Sequence, residues 1–146
     1  MDFSRQVNYQ SDFDVLLHIT DIDGKAVGYP TFDFVATFTT SGGGKYEAGQ
    51  MAGVKRGVSD QDGDVRVVFN NHMLSPGVLN LKLCVDIPDA IYPDGKKQTV
   101  VSVETGIKLI SGTGTDSTGL KVDVILPFAY TAPEATDGTE DSGSEG

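Results

Sequence analysis

Five apolar residues at alternate positions, Leu79, Leu81, Leu83, Val85 and Ile87, run through "GVLNLKLCVDIP", with Asn80, Lys82, Cys84 and Asp86 between them. A side-chain period of two gathers such a set on one face of a pleated strand, and a helix of 3.6 residues per turn cannot gather it. The same alternation recurs along the chain. Val15, Leu17 and Ile19 form one set, and Phe32, Phe34, Ala36 and Phe38 another. Val65, Val67 and Phe69 follow, then Val101, Val103, Ile107 and Leu109, and finally Leu120, Val122, Val124, Leu126 and Phe128. Weaker strands are expected around Lys45 to Ala48 and Ala52 to Lys55.

Turn chemistry punctuates these runs: "DIDGKAVG", "TSGGGK", "DQDGD", "NHMLSPG", "YPDGKK" and "SGTGTDSTG". Glycine after Asp or Asn supplies the positive φ of tight hairpins. No stretch of eleven or more residues keeps a clean helical period, so helices of at most a turn or two are expected. Seven or eight strands, each with one apolar face, pack most simply as two facing sheets. The predicted fold is all-β, an immunoglobulin-like antiparallel β-sandwich. Its 146 residues suit one domain with a real core. Residues 1–12 are expected to form an amino-terminal arm, 13–130 the sandwich, and 131–146 an acidic tail or linker with little to bury and therefore flexible.

The formal charge is −10. Five of the 21 acidic residues lie in the last fourteen, "PEATDGTEDSGSEG", which leaves sixteen acids against eleven bases for the folded part. An acidic chain without a basic patch argues against nucleic acid or an anionic membrane surface as partner. No apolar run has the length of a membrane-spanning helix. The lone Cys84 cannot form an internal disulfide, and "MDFSRQVNYQ" lacks the apolar core of a signal peptide, so folding in a cytoplasm is expected.

Asp60, Asp62 and Asp64 open "DQDGD" in the manner of a calcium loop, whose hard oxygen ligands must converge on one point. Gly63 comes one residue too early for an EF-hand, and Asn71 stands where a bidentate glutamate would be needed. A hairpin turn with solvated carboxylates explains the same residues. "DIDG" (Asp21 to Gly24) offers two carboxylates at a turn and no third ligand. His18 and His72, far apart in sequence, lack the spacing of a zinc site. Cys84 lies on the less apolar side of its strand with no base or helix terminus to activate it. "SGGGK" (Ser41 to Lys45) has neither P-loop spacing nor a following helix, and no G-x-S-x-G occurs. A sugar-binding groove would need stacking aromatics. Tryptophan is absent, and Tyr46 and Tyr92 are the residues nominated for glycan contact, against the alternative that tyrosines close the rims of the sandwich. No catalytic set can be assembled and no cofactor is expected.

The succession "SDFDVLLHITDIDGKAV", "DFVATFTT", "GDVRVVFNNHMLSPGVLNLKL", "PDGKKQTVVSVETGIKL" and "VDVILPF" is similar to the amino-terminal domains of bacteriophage fibre and baseplate upper proteins, especially in phages of gut anaerobes. It covers roughly residues 5–130, and its most specific piece is "VFNNHMLSPGVLNLKL" (Val68 to Leu83). The resemblance implies a virion structural role: an immunoglobulin-like module attaching a fibre or spike to capsid or baseplate, within a symmetric oligomer, often a trimer. Proteins of that type commonly continue into a shaft or receptor-binding region, whereas this sequence stops after "DGTEDSGSEG". That departure leaves a fragment, an adaptor or a decoration role open. The expected partners are other virion proteins and further copies of the chain. Two competing classes are a glycan- or host-surface-binding sandwich and a cell-surface adhesin, the second disfavoured by the missing signal peptide.

Overall fold

The computed structural model describes residues 5–114 and 120–130. The expected flexible tail after Tyr130, and residues 115–119 of the "SGTGTDSTG" loop, lie outside the described residues. Ten strands follow in order: β1 (Arg5–Asn8), β2 (Phe13–Thr20), β3 (Asp33–Thr40), β4 (Lys45–Met51), β5 (Val54–Arg56), β6 (Val58–Gln61), β7 (Asp64–Phe69), β8 (Gly77–Pro88), β9 (Lys96–Ile110) and β10 (Leu120–Ile125). The described residues contain no helix.

The strands form a six-stranded sheet, β1-β9-β8-β3-β4-β5, and a four-stranded sheet, β10-β2-β7-β6. From β2 onward the pairing follows the immunoglobulin order: β2, β7 and β6 stand as B, E and D in one sheet, and β9, β8, β3 and β4 as G, F, C and C′ in the other. β5 extends the second sheet beyond C′, as in variable-type domains. The place beside B that strand A usually takes is filled by β10.

Alternation predicts the core well. Val15, Leu17, Phe34, Phe38, Val65, Val67, Phe69, Leu79, Leu83, Val85, Ile107, Leu109 and Val124 are all buried between the sheets. Phe69 is its aromatic centre, stacked on Phe13 at 4.3 Å between ring centroids and met edge-on by Phe38 at 4.7 Å. Val101 and Val103 share the inward register but are only half-buried, because they stand at a sheet edge.

Two expectations are corrected, the all-antiparallel pairing and the number of strands. Pairing is not wholly antiparallel: β1 runs parallel to the end of β9, and β10 parallel to β2. Alternation fixes which face of a strand is buried and leaves its neighbour's direction open. Within the arm expected over residues 1–12, Arg5–Asn8 form β1, with Val7 buried opposite Leu109. The strand count is ten rather than seven or eight, because β1 and β6 were not anticipated. Each carries one buried apolar residue, Val7 or Val58, too few to show a period.

Candidate functional site

The β6–β7 connection decides what the three aspartates do. Gln61 pairs with Asp64, so the loop is the dipeptide Asp62-Gly63, with φ of 53° and 92°. Positive φ at both positions is the type I′ hairpin turn, whose twist matches that of the flanking strands. Asp60 Oδ1 accepts the Gly63 N–H at 2.9 Å, Asp62 Oδ2 accepts the Gln61 side-chain amide at 3.3 Å, and Asp64 Oδ1 lies 2.9 Å from His18 Nδ1 on β2. The carboxylates diverge to three separate partners. Among the described residues, no group of three or more His, Cys, Asp and Glu side chains is arranged to hold a metal.

Asp21, in "DIDG", is nearly inaccessible and organises the turn that follows the same, carboxyl-terminal end of β2. Its Oδ1 accepts the backbone N–H groups of Asp23 (2.9 Å) and Lys25 (3.0 Å), and its Oδ2 accepts that of Tyr130 (3.2 Å). The Lys25 hydrogen bond, followed by those from Tyr130 and Asp23, holds the carboxyl below its ordinary range against the opposing effect of burial. The motif is a clamp joining the β2 turn to the end of the described chain.

His72 lies in the corner between β7 and β8, beside a concavity of about 410 Å³ lined by Tyr9, Asp12, Asn71, Met73 and Leu74, among others. Its Nδ1 accepts the Leu74 N–H at 3.3 Å while Nε2 lies 3.1 Å from Ser11 O, which places the ring proton on Nε2. The ring meets Phe13 edge-on at 5.4 Å. Asp12 accepts from Asn70 Nδ2 at 2.9 Å and from Asn71 N at 3.4 Å. These hydrogen bonds hold the corner loop in shape.

Tyr46 stacks on Phe69 at 4.8 Å and its hydroxyl donates to Val68 O at 2.8 Å. Tyr92 sits in the β8–β9 turn, past the far end of β8. The Tyr46 row meets β8 at Leu81, and the seven residues on to Pro88 span about 23 Å. The two rings therefore form no common platform. Tyr9, Tyr29, Tyr46 and Tyr130 all pack against the core from its rim. Cys84 is half-buried on the outer face of β8, where burial, with Asp86 adding to it and Lys82 opposing it, pushes the thiol above its ordinary pKa. It is a protonated thiol at neutral pH and a poor nucleophile.

The remaining candidate is a backbone surface. β1 pairs with β9 only from Ile107 to Ile110, so among the described residues Lys96–Glu104 has β8 on one side and no strand on the other. A bulge ends this open stretch: Val78 faces Lys108 and Asn80 faces Glu104, with Gly106 at φ 72° in between. Thr105 Oγ1 donates to Leu79 O at 2.6 Å and accepts the Ile107 N–H at 3.1 Å, fixing the bend. The Arg5 guanidinium then donates to Thr105 O and Lys121 O, tying β1, β9 and β10 together where the open edge stops.

The hydrogen-bonding phase of that edge follows from its ends. Asp89 N–H donates to Gly95 O at 2.8 Å, while Lys96 N–H turns away to Asp94 Oδ1 at 3.2 Å. Antiparallel pairs alternate between bonded and unbonded. Odd positions of β9 therefore bond to β8, and Gln98, Val100, Ser102 and Glu104 direct their backbone groups outward.

Comparison with protein-family models, curated proteins and solved structures finds no match. The site is thus defined by its own geometry: a long edge strand whose outward backbone groups meet no other strand among the described residues, bounded by a turn and a bulge. Sequence periodicity placed β9 but gave no sign of its open half, because an unpaired edge is a property of neighbours. The spacing of Thr105-Gly106 inside "VSVETGIKL" was the available signal, since glycine within a strand often marks a bulge.

Proposed function

We propose that the chain is a non-enzymatic attachment module of a bacteriophage virion, an immunoglobulin-like adaptor that joins fibre, baseplate or capsid components through a sheet edge. The observation that carries this reading is the open stretch Lys96–Glu104 of β9, a backbone rail for strand addition by another chain. Support comes also from the polar groups of the two most elaborate corners, around Asp21 and His72, which are taken up in holding loops. The resemblance of residues 5–130 to fibre and baseplate upper proteins supplies the virion setting, with folding in the bacterial cytoplasm before assembly. Tyr46 and Tyr92 lie too far apart to give the glycan-binding alternative a shared platform.

The test is capture of virion proteins by the tagged full chain, together with mass spectrometry of purified phage particles from its host. The expected result is the chain in the particles and a captured structural protein that is lost with Val100→Lys. A chain absent from particles, capturing no virion component, would contradict the proposal. Glycan binding abolished by Tyr46→Ala would favour the alternative.

A further inference from the structure

The side chains along the open edge have a symmetry of their own. The stretch between the Asp89–Gly95 turn and the Thr105-Gly106 bulge is centred on Val100. Its outward-facing backbone positions are Lys96, Gln98, Val100, Ser102 and Glu104, whose side chains also share the outer face of the sheet. Turning this strand about a two-fold axis through Val100 and pairing it antiparallel with itself sets Lys96 opposite Glu104, Gln98 opposite Ser102 and Val100 opposite Val100. Both charged ends then meet an opposite charge, and the outward backbone groups of Gln98, Val100 and Ser102 meet their complements, while the Lys96 N–H stays with Asp94 Oδ1.

The outer face gives a second, independent reason. Val35 of β3 is in register with Cys84 of β8, and Cys84 with Val100 of β9, so an apolar row crosses the sheet and ends at the edge. Val100 is 52% exposed there. The rows on either side are polar: Thr37, Lys82 and Ser102 on one, Asp33, Asp86 and Gln98 on the other. The same axis joins the apolar row to its copy and covers Val100 with Val100.

We infer that Lys96–Glu104 pairs with the same segment of a second copy, making a two-fold dimer in which the two six-stranded sheets become one continuous sheet. The inference rests on reading this edge as a docking rail and names its occupant. A two-fold dimer is a different assembly from the trimer that the resemblance implies; once the edge is self-paired, a virion protein whose capture is lost with Val100→Lys is one that recognises the paired form.

Lys96 and Glu104 stand eight residues apart on one strand, about 27 Å, so they do not interact within a chain. A charge-reversal cycle therefore reads contact between chains. Sedimentation equilibrium of the full chain is measured for wild type, Lys96→Glu, Glu104→Lys, the double variant and Val100→Lys, with thermal unfolding confirming that each folds. Each single reversal is expected to raise the dimer dissociation constant about tenfold, and the double variant to return within about threefold of wild type. Val100→Lys should leave only monomer. A wild-type chain that stays monomeric, or a dimer indifferent to all four variants, overturns the inference. If the monomeric chain nevertheless captures a virion protein and loses it with Val100→Lys, self-pairing fails while the attachment role stands; loss of both sinks the two together.

Discussion

At the scale of single residues, the polar side chains most suggestive of chemistry are those that hold the chain's turns. Asp62 and Gly63 occupy the left-handed region that a two-residue hairpin demands, and Asp60 satisfies the Gly63 N–H. Asp21 does the same work for a wider turn and reaches the Tyr130 N–H as well. Its carboxyl is held below the ordinary range by hydrogen bonds from Lys25, Tyr130 and Asp23, so the charged form is favoured by folding. The stability that follows is present above the unfolded carboxyl value of about 3.9 and lost as pH falls through the lower folded value. Asp21→Asn should accordingly lower the melting temperature at pH 7, and the gap to wild type should close as the pH is taken well below 4. Asp23→Ala, which removes only a side chain outside the clamp, should change little. Equal losses at pH 7 and at low pH would show that Asp21 acts by shape alone.

At the scale of elements, the packing of β7 against β2 and β3 turns on Phe69. Its ring touches Phe13, Phe38 and Tyr46, and it is fully buried, so Phe69→Ala opens a cavity that three aromatic neighbours cannot fill. A loss of about 3–5 kcal/mol in denaturant unfolding is expected. This strand, like β2, β3, β8 and β10, is legible in the sequence because one face is buried along its whole length and writes a period of two. β1 and β6 are not legible, since a short edge strand buries a single residue. The direction of β1 and β10 was equally hidden: "RQVN" and "LKVDVI" would alternate identically in either orientation. "MAGV", which makes the β4–β5 hairpin with Ala52 at φ 52°, lacks the Asn or Asp that usually announces such a turn.

At the scale of the whole molecule, the sandwich packs tyrosines against the rim of a core of aliphatic and phenylalanine side chains and, among the described residues, leaves one long margin of β9 without a neighbouring strand. The cause is the unequal length of its edges. β9 runs on beyond the short β1, and the bulge at Thr105-Gly106 divides the half that has β1 beside it from the half that, among the described residues, has β8 alone. A free edge of this length is normally covered, blunted or used. Periodicity found β9, but which side of it lacks a neighbour depends on where Arg5–Asn8 docks, a long-range event with no local signal.

The most direct measurement is amide hydrogen exchange resolved along β9, at low and at high protein concentration. At low concentration Thr99, Val101 and Val103 should be protected by β8, while Gln98, Val100 and Ser102 exchange as freely as loop amides. At high concentration the second set should become protected as well. Uniform protection at every concentration would mean that the edge is already covered within one chain, and free exchange of the second set at all concentrations would mean that no second copy pairs there.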